Sequence, residues 1–438
     1  LRGALTSALG SLRTDGRAYA ASDFSEFDFN GTISTRRFEL GKLLGIAEMG
    51  TIALTVNADG MAGAEMPFVG KINASIDHFQ FRQYTYQDIH INGHLRNHIF
   101  DGKIESNDPN ILFSFAGKVD MREHATPSEF LFNLQHFRPG PLHLSDKFAD
   151  SDLRLKLALN MQGAKLDDIR GNLTIDSLRF THSDQAFSMP HLELLAEVSE
   201  PEYKGKVRQQ QLRHLSISSD YINARLWGAF SYSELPAAVL RLVASALPNV
   251  FTDEQERELK RHTSQTDLEF YIYLKNLNEL CSILGLPVVP YGTSTIKGSI
   301  AEQTQSHVAH VLETGYGQPH NCLFQAHFPL LSLSGNTIEN LTLSFDNATQ
   351  EKDGQLRLLL KGLTHSSATP AGEHIGELQL RLDARARHDS LDLQFDWGNV
   401  HDTAMHHKGD LHVTTTLARY AGKPLISAEI HPAALRFA

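Results

Sequence analysis

Hydrophobic and polar residues alternate one by one through most of the chain. The segment LRLKLAL at 153–159 places leucine at every odd position, with Arg154 and Lys156 between them. A period of two is typical of β-strands that bury one face. We count about 20 segments of this kind and almost no helical periodicity between them. The pattern therefore predicts a mainly β protein.

A tripeptide of Gly, a mostly polar residue and then Ile, Val or Leu recurs along these segments. It begins at Gly31, Gly50, Gly70, Gly102, Gly117, Gly171, Gly298, Gly354, Gly376 and Gly409. Such a tripeptide predicts a tight turn that ends on glycine, which tolerates positive φ, followed at once by strand pairing. Its irregular spacing disfavours a solenoid or a propeller, which impose a fixed period. An antiparallel meander is the architecture it favours.

One interval, 234–285, breaks the alternation. Apolar residues there recur at helical spacing, namely Ala238, Val239, Leu242, Val243, Ala246 and Leu247. A polar run follows at 253–262, then a strand-like segment at 268–274 and a short helical stretch near 276–284. We predict a helical insertion with one strand that covers part of the sheet, between β segments 1–233 and 286–438 of the same sheet. A membrane-touching amphipathic helix is the alternative, but the interval lacks the dense Lys and Arg expected for it.

Composition and charge exclude several classes of protein. The chain has 438 residues, of which 41% are hydrophobic, and a net charge of −11. The apolar content is too high for a disordered chain, and no long apolar stretch predicts a membrane-spanning helix. The acidic balance and the lack of a basic block argue against nucleic-acid binding. Because the chain begins at Leu1 without a signal-like region, we expect a piece of a longer protein.

Candidate catalytic chemistry is sparse. The sequence contains no glycine-rich phosphate loop with lysine, no nucleophile elbow and no His-Glu-x-x-His motif, so we predict no enzyme activity, no cofactor and no metal. A histidine cluster at 401–407 is the best metal candidate, but it lies in a predicted loop without supporting ligands. The other histidines, His90 and His412 among them, are expected on solvated faces. Cys281 and Cys322 are expected to be free buried thiols, with one disulfide as the alternative.

The predicted sheet has one apolar face and too few helices to cover it. About 20 strands at about 4.8 Å each extend over some 95 Å. The sheet can close as a sandwich, close as an outer-membrane barrel, or curl lengthwise into a trough with an apolar lining. A barrel predicts girdles of Tyr and Trp, whereas the chain has 2 Trp and 11 Tyr against 24 Phe. Trp227 and Trp397 are isolated in the sequence, which disfavours a carbohydrate-binding adhesin.

Several segments resemble the TamB proteins of the Bacteroidetes. They are YTYQDIHING at 84–93, FDGKIESNDPN at 100–110 and FSFAGKVD at 113–120, with LGKLL at 40–44 before Gly50, and DDIRG at 167–171. Ser219-Asp220 before Ala224, and an insertion after Tyr232 that ends in LGLP at 284–287, fit the same family. The resemblance runs from about residue 30 to the end. It rests on strand and turn patterns and not on catalytic signatures.

This resemblance implies an AsmA-like, bridge-type lipid-transfer protein of a Gram-negative bacterium. Its antiparallel sheet would be elongated, twisted and curled into a U-shaped hydrophobic groove, a β-taco. The full-length protein would lie in the periplasm, anchored in the inner membrane by an N-terminal helix. It would support outer-membrane assembly with a TamA-type barrel partner, bound through a C-terminal region beyond Ala438. The implied ligand is phospholipid, and no nucleic-acid partner is expected.

Phospholipid acyl chains are expected to lie along the inward phase of the strands, with headgroups at the wet rim. The predicted lining residues are Ile52, Leu54, Val56, Ile72, Ile76, Ile89, Ile91, Phe113, Phe115, Leu155, Leu157, Leu380, Leu382, Leu393, Phe395, Leu411 and Val413. For each of them, packing in the core of a closed sandwich is the competing interpretation.

Overall fold

The computed structural model describes residues 2–20, 26–63, 67–122, 127–163, 165–199, 203–204, 207–208, 211–261, 266–301, 322–333, 336–347, 356–365, 377–399, 408–431 and 435–436. The predicted class is confirmed, because the described residues are mainly antiparallel β-strands with a small group of helices. The chain divides into two compact units, Leu1–Leu195 and Ala196–Ala438. The division lies within a strand, and the predicted helical insertion lies inside the second unit.

The first unit is an antiparallel meander. Each strand from β1 to β11 pairs with the next one in sequence. The strands are β1 (Arg2–Ser7), β2 (Gly10–Ala20), β3 (Glu26–Glu39), β4 (Met49–Gly63), β5 (Val69–Phe81), β6 (Tyr84–Arg96), β7 (Ile99–Asp108), β8 (Ile111–Asp120), β9 (Ser128–Phe137), β10 (Ser151–Gln162), β11 (Arg170–His182), β12 (Gln185–Met189) and β13 (Leu192–Val198). A short helix, α1 (Leu40–Leu44), joins β3 to β4, and a 3-10 turn lies at Leu166–Asp168.

Two-residue turns close several of these hairpins. Arg82 and Gln83 between β5 and β6 both have positive φ, of 48° and 65°, and so do Asn97 and His98 between β6 and β7, at 48° and 61°. Two consecutive residues of positive φ make a type I′ turn, whose twist matches that of the paired strands. The short turns keep neighbouring strands in register, so the alternation of each strand adds to the same face of the sheet.

Several of the glycine tripeptides lie inside strands and not at their starts, which corrects the prediction made for them. Gly102 pairs with Gly93 on one side and with Gly117 on the other. A Cβ on Gly102 would stand 2.3 Å from the carbonyl oxygen of Asn92, so the backbones approach too closely for a side chain. The tripeptides at Gly354 and Gly376 lie outside the described residues.

The second unit contains the other strands and three further helices. Its strands are β14 (Tyr203–Lys204), β15 (Val207–Arg208), β16 (Arg213–Ser219), β17 (Ile222–Ala229), β18 (Asp267–Lys275), β19 (Val288–Tyr291), β20 (Thr293–Ala301), β21 (Cys322–Leu333), β22 (Asn336–Asn347), β23 (Leu356–His365), β24 (Glu377–Arg387), β25 (Ser390–Asn399), β26 (Lys408–Tyr420), β27 (Lys423–Ile430) and β28 (Leu435–Arg436). Its helices are α2 (Leu235–Ala246), α3 (Asp253–Arg261) and α4 (Asn278–Ile283), with a 3-10 turn at Pro248–Val250.

These strands also pair antiparallel, in the order β16, β17, β18, β20, β21, β22, β23, β24, β25, β26 and β27. The interval predicted for the insertion contains three helices and one strand. Helix α2 covers the apolar helical pattern, α3 the polar run, β18 the strand-like segment and α4 the last helical stretch.

A buried carboxylate links two neighbouring strands of the first unit. Asp108 is fully buried and accepts hydrogen bonds from the Tyr84 hydroxyl at 2.7 Å, the Gln87 backbone N–H at 3.1 Å and the Asn110 backbone N–H at 2.9 Å. Burial and the Asp108 hydrogen bond raise the pKa of Tyr84 to about 12. The sequence indicates only a turn at Asp108, whereas the structure makes this side chain a link between β6 and β7.

Candidate functional site

The apolar phase of the first unit forms three continuous rows across the strands. The first row is Leu54, Ile76, Ile89, Ser106, Phe113, Leu134, Leu155 and Leu178; the second is Ile33, Val56, Ala74, Ile91, Ile104, Phe115, Phe132, Leu157 and Ile175; the third is Ala58, Ile72, Gly93, Gly102, Gly117, Phe130, Leu159 and Leu173. We call these rows the first apolar face. Ten of the predicted lining residues lie on it.

These lining side chains are half-buried and not fully covered. Leu54, Val56, Ile72, Ile76, Ile89, Ile91, Phe113, Phe115, Leu155 and Leu157 all keep part of their surface accessible. Ile52 differs, because it is only 8% exposed and lies on the strand that α1 contacts. In the core of a closed sandwich most such residues would be fully buried. The first apolar face is therefore still open to an apolar occupant.

Aromatic rings line the middle of the first apolar face. The ring centroids of Phe115 lie 5.1 Å from Phe130 and 6.2 Å from Phe100, and those of Phe113 and Phe132 lie 5.5 Å apart. A Cβ on Gly93 would stand 2.8 Å from the Phe100 ring, so the glycine makes room for that ring. The rings make this part of the face a broad, smooth apolar surface.

The opposite side of the first unit carries polar rows. One row alternates in charge where it crosses the strands and consists of Asp59, Lys71, His94, Asp101, Lys118 and Glu129. A neighbouring row contains Asn57, Asn73, Asn92 and Lys103. Opposite charges directly across from each other stabilise strand pairing. We call this side the first polar face, and it is well suited to water.

The second unit repeats the division into two faces. One apolar row is Leu226, Phe270, Gly298, Phe324, Phe345, Leu358, Ala384, Leu393 and Val413; the next is Ala224, Ile272, Ile296, Ala326, Leu343, Leu360, Leu382, Phe395 and Leu411. Leu380 lies beside them, opposite Trp397. These rows form the second apolar face. The predicted lining residues Leu380, Leu382, Leu393, Phe395, Leu411 and Val413 are all on it and half-buried.

Helix α2 covers one margin of the second apolar face. Its Leu242 packs against Ile300 and Phe345, while Ala246 and Leu247 pack against Ala386, Leu391 and Leu417. Polar contacts hold the helix there. Asn249 bonds both oxygens of Asp389 through its backbone N–H at 2.7 Å and its side-chain amide at 2.9 Å, and Arg419 bonds Asp253 at 2.6 Å and Glu256 at 2.8 Å.

Both apolar faces contain residues beyond the predicted lining set. Ile33, Ile104, Phe130, Phe132 and Ile175 complete the rows of the first unit, and Phe270, Ile296, Phe324, Leu343 and Leu360 those of the second. Their signal was the same alternation in the intervening strands. The pairing of neighbouring strands, which alternation within one strand does not reveal, brings them into line.

A carboxylate among arginines lies on the polar side of the second unit. Asp383 is 3% exposed and bonds Arg357 at 2.7 Å and Arg385 at 3.3 Å, with Arg381 at 3.6 Å. The hydrogen bond from Arg357 lowers its pKa, and with a further bond from Arg385 this outweighs burial, so that the pKa of Asp383 lies at about 2. The cluster joins β23 and β24.

Acid is expected to weaken the second unit through Asp383. Its folded pKa of about 2 lies below the unfolded value of about 3.9, so its stabilising effect is present above about pH 4 and is lost as the pH falls towards 2. Because its arginine partners are half-exposed, we expect D383N to lower the unfolding free energy at pH 7 by only ~1–2 kcal/mol. Urea unfolding at several pH values tests this. The difference from wild type should shrink towards pH 2; a D383N difference that stays constant with pH would contradict the assignment.

The histidines and cysteines considered in the sequence analysis lie in different surroundings. The histidine cluster at 401–407 and the side chain of Cys322 lie outside the described residues. Cys281 is a free, buried thiol, and burial raises its pKa. His412, expected on a solvated face, is half-buried and bonds Asp392 while stacking on His431, with ring centroids 4.4 Å apart. In the described parts of the chain, no group of three or more His, Cys, Asp or Glu side chains is arranged to hold a metal ion.

Trp227 is also less isolated than its place in the sequence indicates. Its ring stacks on Tyr271, with centroids 5.9 Å apart and planes inclined by 7°. A cavity of about 520 Å³ on the polar side of these strands is lined by Trp227 together with Arg225, Tyr271 and Tyr273. The rings of Trp227 and Tyr271 stack across the adjacent strands β17 and β18 and cover part of the polar side of the sheet there.

Comparisons with protein-family models, curated proteins and solved structures find no match for this chain. The resemblance to the TamB family therefore stays a prediction. In the ranges that the structure describes, no helix has the length and apolar character needed to cross a bilayer.

Proposed function

We propose that this chain is a segment of a bridge-like lipid-transfer protein. Phospholipid acyl chains would move along its apolar sheet faces between the inner and outer membranes, and headgroups would stay at the wet rim. The protein acts by passive conduction and not as an enzyme. The observation that carries this proposal is the set of continuous apolar rows, which run across the strands and whose large side chains are mostly only half-buried.

The length of the rows supports the proposal. The row from Ile33 to Ile175 crosses nine strands, β3 to β11. At about 4.8 Å per strand it extends over roughly 38 Å. Burial of acyl methylenes is worth about 0.8 kcal/mol each, so a chain of about 16 carbons gains up to roughly 12 kcal/mol when fully covered, and less on an open face.

The similarity of neighbouring positions along each row favours the sliding of a bound acyl chain. Neighbouring positions along a row are Ile, Leu, Val, Phe, Ala or Gly, with few polar interruptions, Ser106 among them. An acyl chain that slides from one strand to the next exchanges one apolar contact for a similar one, which keeps the energy barrier between positions low. The alternation of charge on the first polar face keeps the other side of the sheet in water.

The cellular setting is part of the same proposal. By resemblance to TamB proteins, the chain would work in the periplasm of a Gram-negative bacterium and support outer-membrane assembly. The longer protein would be anchored in the inner membrane and would meet a TamA-type barrel in the outer membrane. The ligand would be phospholipid, and the segment would need neither a cofactor nor a metal.

Phospholipid should co-purify with the chain. Native mass spectrometry of the gently extracted protein is expected to show bound phospholipid, because the open apolar rows would otherwise face water. Photoreactive residues at Phe113 and Leu382 should crosslink to lipid in cells, whereas one at Leu131, which is 64% exposed on the first polar face, should not. Absence of both bound phospholipid and crosslinks from Phe113 and Leu382 would refute the proposed function.

A further inference from the structure

Three cations crowd one place on the first polar face. Arg154 and Arg179 lie directly opposite each other in the pairing of β10 with β11, and Lys156 lies two residues beyond Arg154 on the same side. We call these residues the basic triad. Like charges directly across a strand pair are destabilising. This local concentration of positive charge also contrasts with the net charge of the whole chain, which is −11.

The chain neutralises only one of these charges. Asp152 bonds Arg154 at 2.9 Å, and it also bonds His136 at 2.9 Å. Burial alone would raise the pKa of Asp152, but these hydrogen bonds outweigh it and hold the pKa below its usual value, so the carboxylate stays charged. Within the described residues, Lys156 and Arg179 form no ion pair. The basic triad with Asp152 therefore carries an excess of two positive charges.

The basic triad borders a shallow concavity of the sheet surface. A concavity of about 450 Å³ is bordered by Arg154, Lys156 and Arg179 together with the polar side chains of Asn133, Gln135, Ser177 and Ser188. A β-bulge between Lys156 and Leu157 interrupts the pairing of β10 with β11 at this point, with Asp176 as the extra residue. Bulges bend a strand and redirect side chains, and they recur next to binding sites.

The donors of this cavity match a phosphate group. Arginine offers a planar fork that bonds two oxygens at once, lysine adds a point charge, and serine and amide side chains complete the hydrogen bonds to a tetrahedral anion. A dianion between Arg154 and Arg179 would also remove their mutual repulsion. We propose that the basic triad binds a phosphate-bearing ligand on the first polar face, on the side of the sheet opposite to the proposed lipid path.

The test uses the full 438-residue chain at constant ionic strength, with chloride as the reference anion. Two probes distinguish the sources of phosphate: inorganic phosphate, and dihexanoyl phosphatidic acid below its micelle concentration. Binding to the folded state should raise Tm by about 2–4 °C at a probe concentration well above Kd. The linewidth of the phosphorus NMR signal of each probe provides a second measurement that does not depend on unfolding.

Arg179→Gln should abolish this response, and Lys118→Gln is the matched control. Lys118 lies on the same polar face but pairs across the strands with Asp101 and Glu129, so it carries no unbalanced charge. In chloride alone, R179Q should be as stable as wild type or more stable, because it removes a like-charge pair, whereas K118Q should be less stable.

The possible results distinguish a free phosphate from a lipid headgroup as the ligand. A response to inorganic phosphate that R179Q loses and K118Q keeps supports a free phosphate or a phosphate monoester as the ligand. The same pattern with the lipid probe alone supports a lipid headgroup. No response in wild type to either probe, or a response that R179Q retains, would overturn the proposal. The response to inorganic phosphate does not depend on acyl chains entering the apolar rows, so its failure and the failure of the proposed function are distinguishable.

Discussion

Replacing Leu157 with arginine is expected to weaken lipid binding by the first apolar face roughly a hundredfold while the fold is kept. Leu157 lies in the middle of a row, opposite Phe132 on one side and Ile175 on the other, and it is half-buried. A charged side chain that faces acyl chains costs about 2–3 kcal/mol, which lowers affinity by roughly a hundredfold. Because Leu157 keeps part of its surface accessible, the arginine can extend its charge to water, and we expect Tm to fall by no more than about 4 °C.

Leu131→Arg is the matched control for this variant. Leu131 is also a strand leucine in the same unit, but it lies on the first polar face opposite Ala116 and Ala158 and is 64% exposed. Lipid content, measured by extraction and native mass spectrometry, should fall in L157R and stay at the wild-type level in L131R. The same contrast is expected for Leu382→Arg in the second unit. Global unfolding of L157R, seen by circular dichroism, would instead indicate a residue of a closed core.

Much of this architecture could be predicted from the sequence, because alternation reports directly on which side of a strand each residue faces. The predicted lining residues other than Ile52 lie on the apolar faces for this reason, and Leu380, Leu382, Leu393 and Phe395 are half-buried there. The insertion was also predictable, since a helical period stands out against a period of two. Its first helix, α2, begins at Leu235 and ends at Ala246, just before Pro248.

What the sequence does not reveal is register. Alternation gives the phase of one strand but not which residues of the next strand lie opposite. The facing pair Arg154 and Arg179 depends on that register and on a bulge nearby, and neither leaves a local signal. The burial of Asp108 likewise depends on Tyr84, which is 24 residues away. The turn predicted at Gly102 is wrong for the same reason, because the cross-strand partners of this glycine explain it better than a turn does.

Helix α2 of the insertion covers part of the second apolar face, and a variant that detaches the helix should expose that part to lipid. Leu242 of α2 is 8% exposed and packs on Ile300 and Phe345, so the helix occupies a place that an acyl chain would otherwise reach. We expect Leu242→Asp to lift α2 from the sheet. Removing the leucine from this contact costs about 2–5 kcal/mol, and burying an unpaired carboxylate in its place adds to that cost.

The expected result of L242D is a more accessible second apolar face. Native mass spectrometry should show more bound phospholipid per chain than in wild type, and limited proteolysis should cut within 235–261 more rapidly. Leu240→Asp is the matched control, because Leu240 lies on the same helix with 44% of its surface exposed, and it should change neither measurement. Asn249 and Arg419 hold the end of α2 and helix α3 to the strands, so they should keep part of the insertion attached. If L242D instead unfolds the whole second unit without any gain in lipid, α2 is an inseparable part of the core and not a cover over a lipid path.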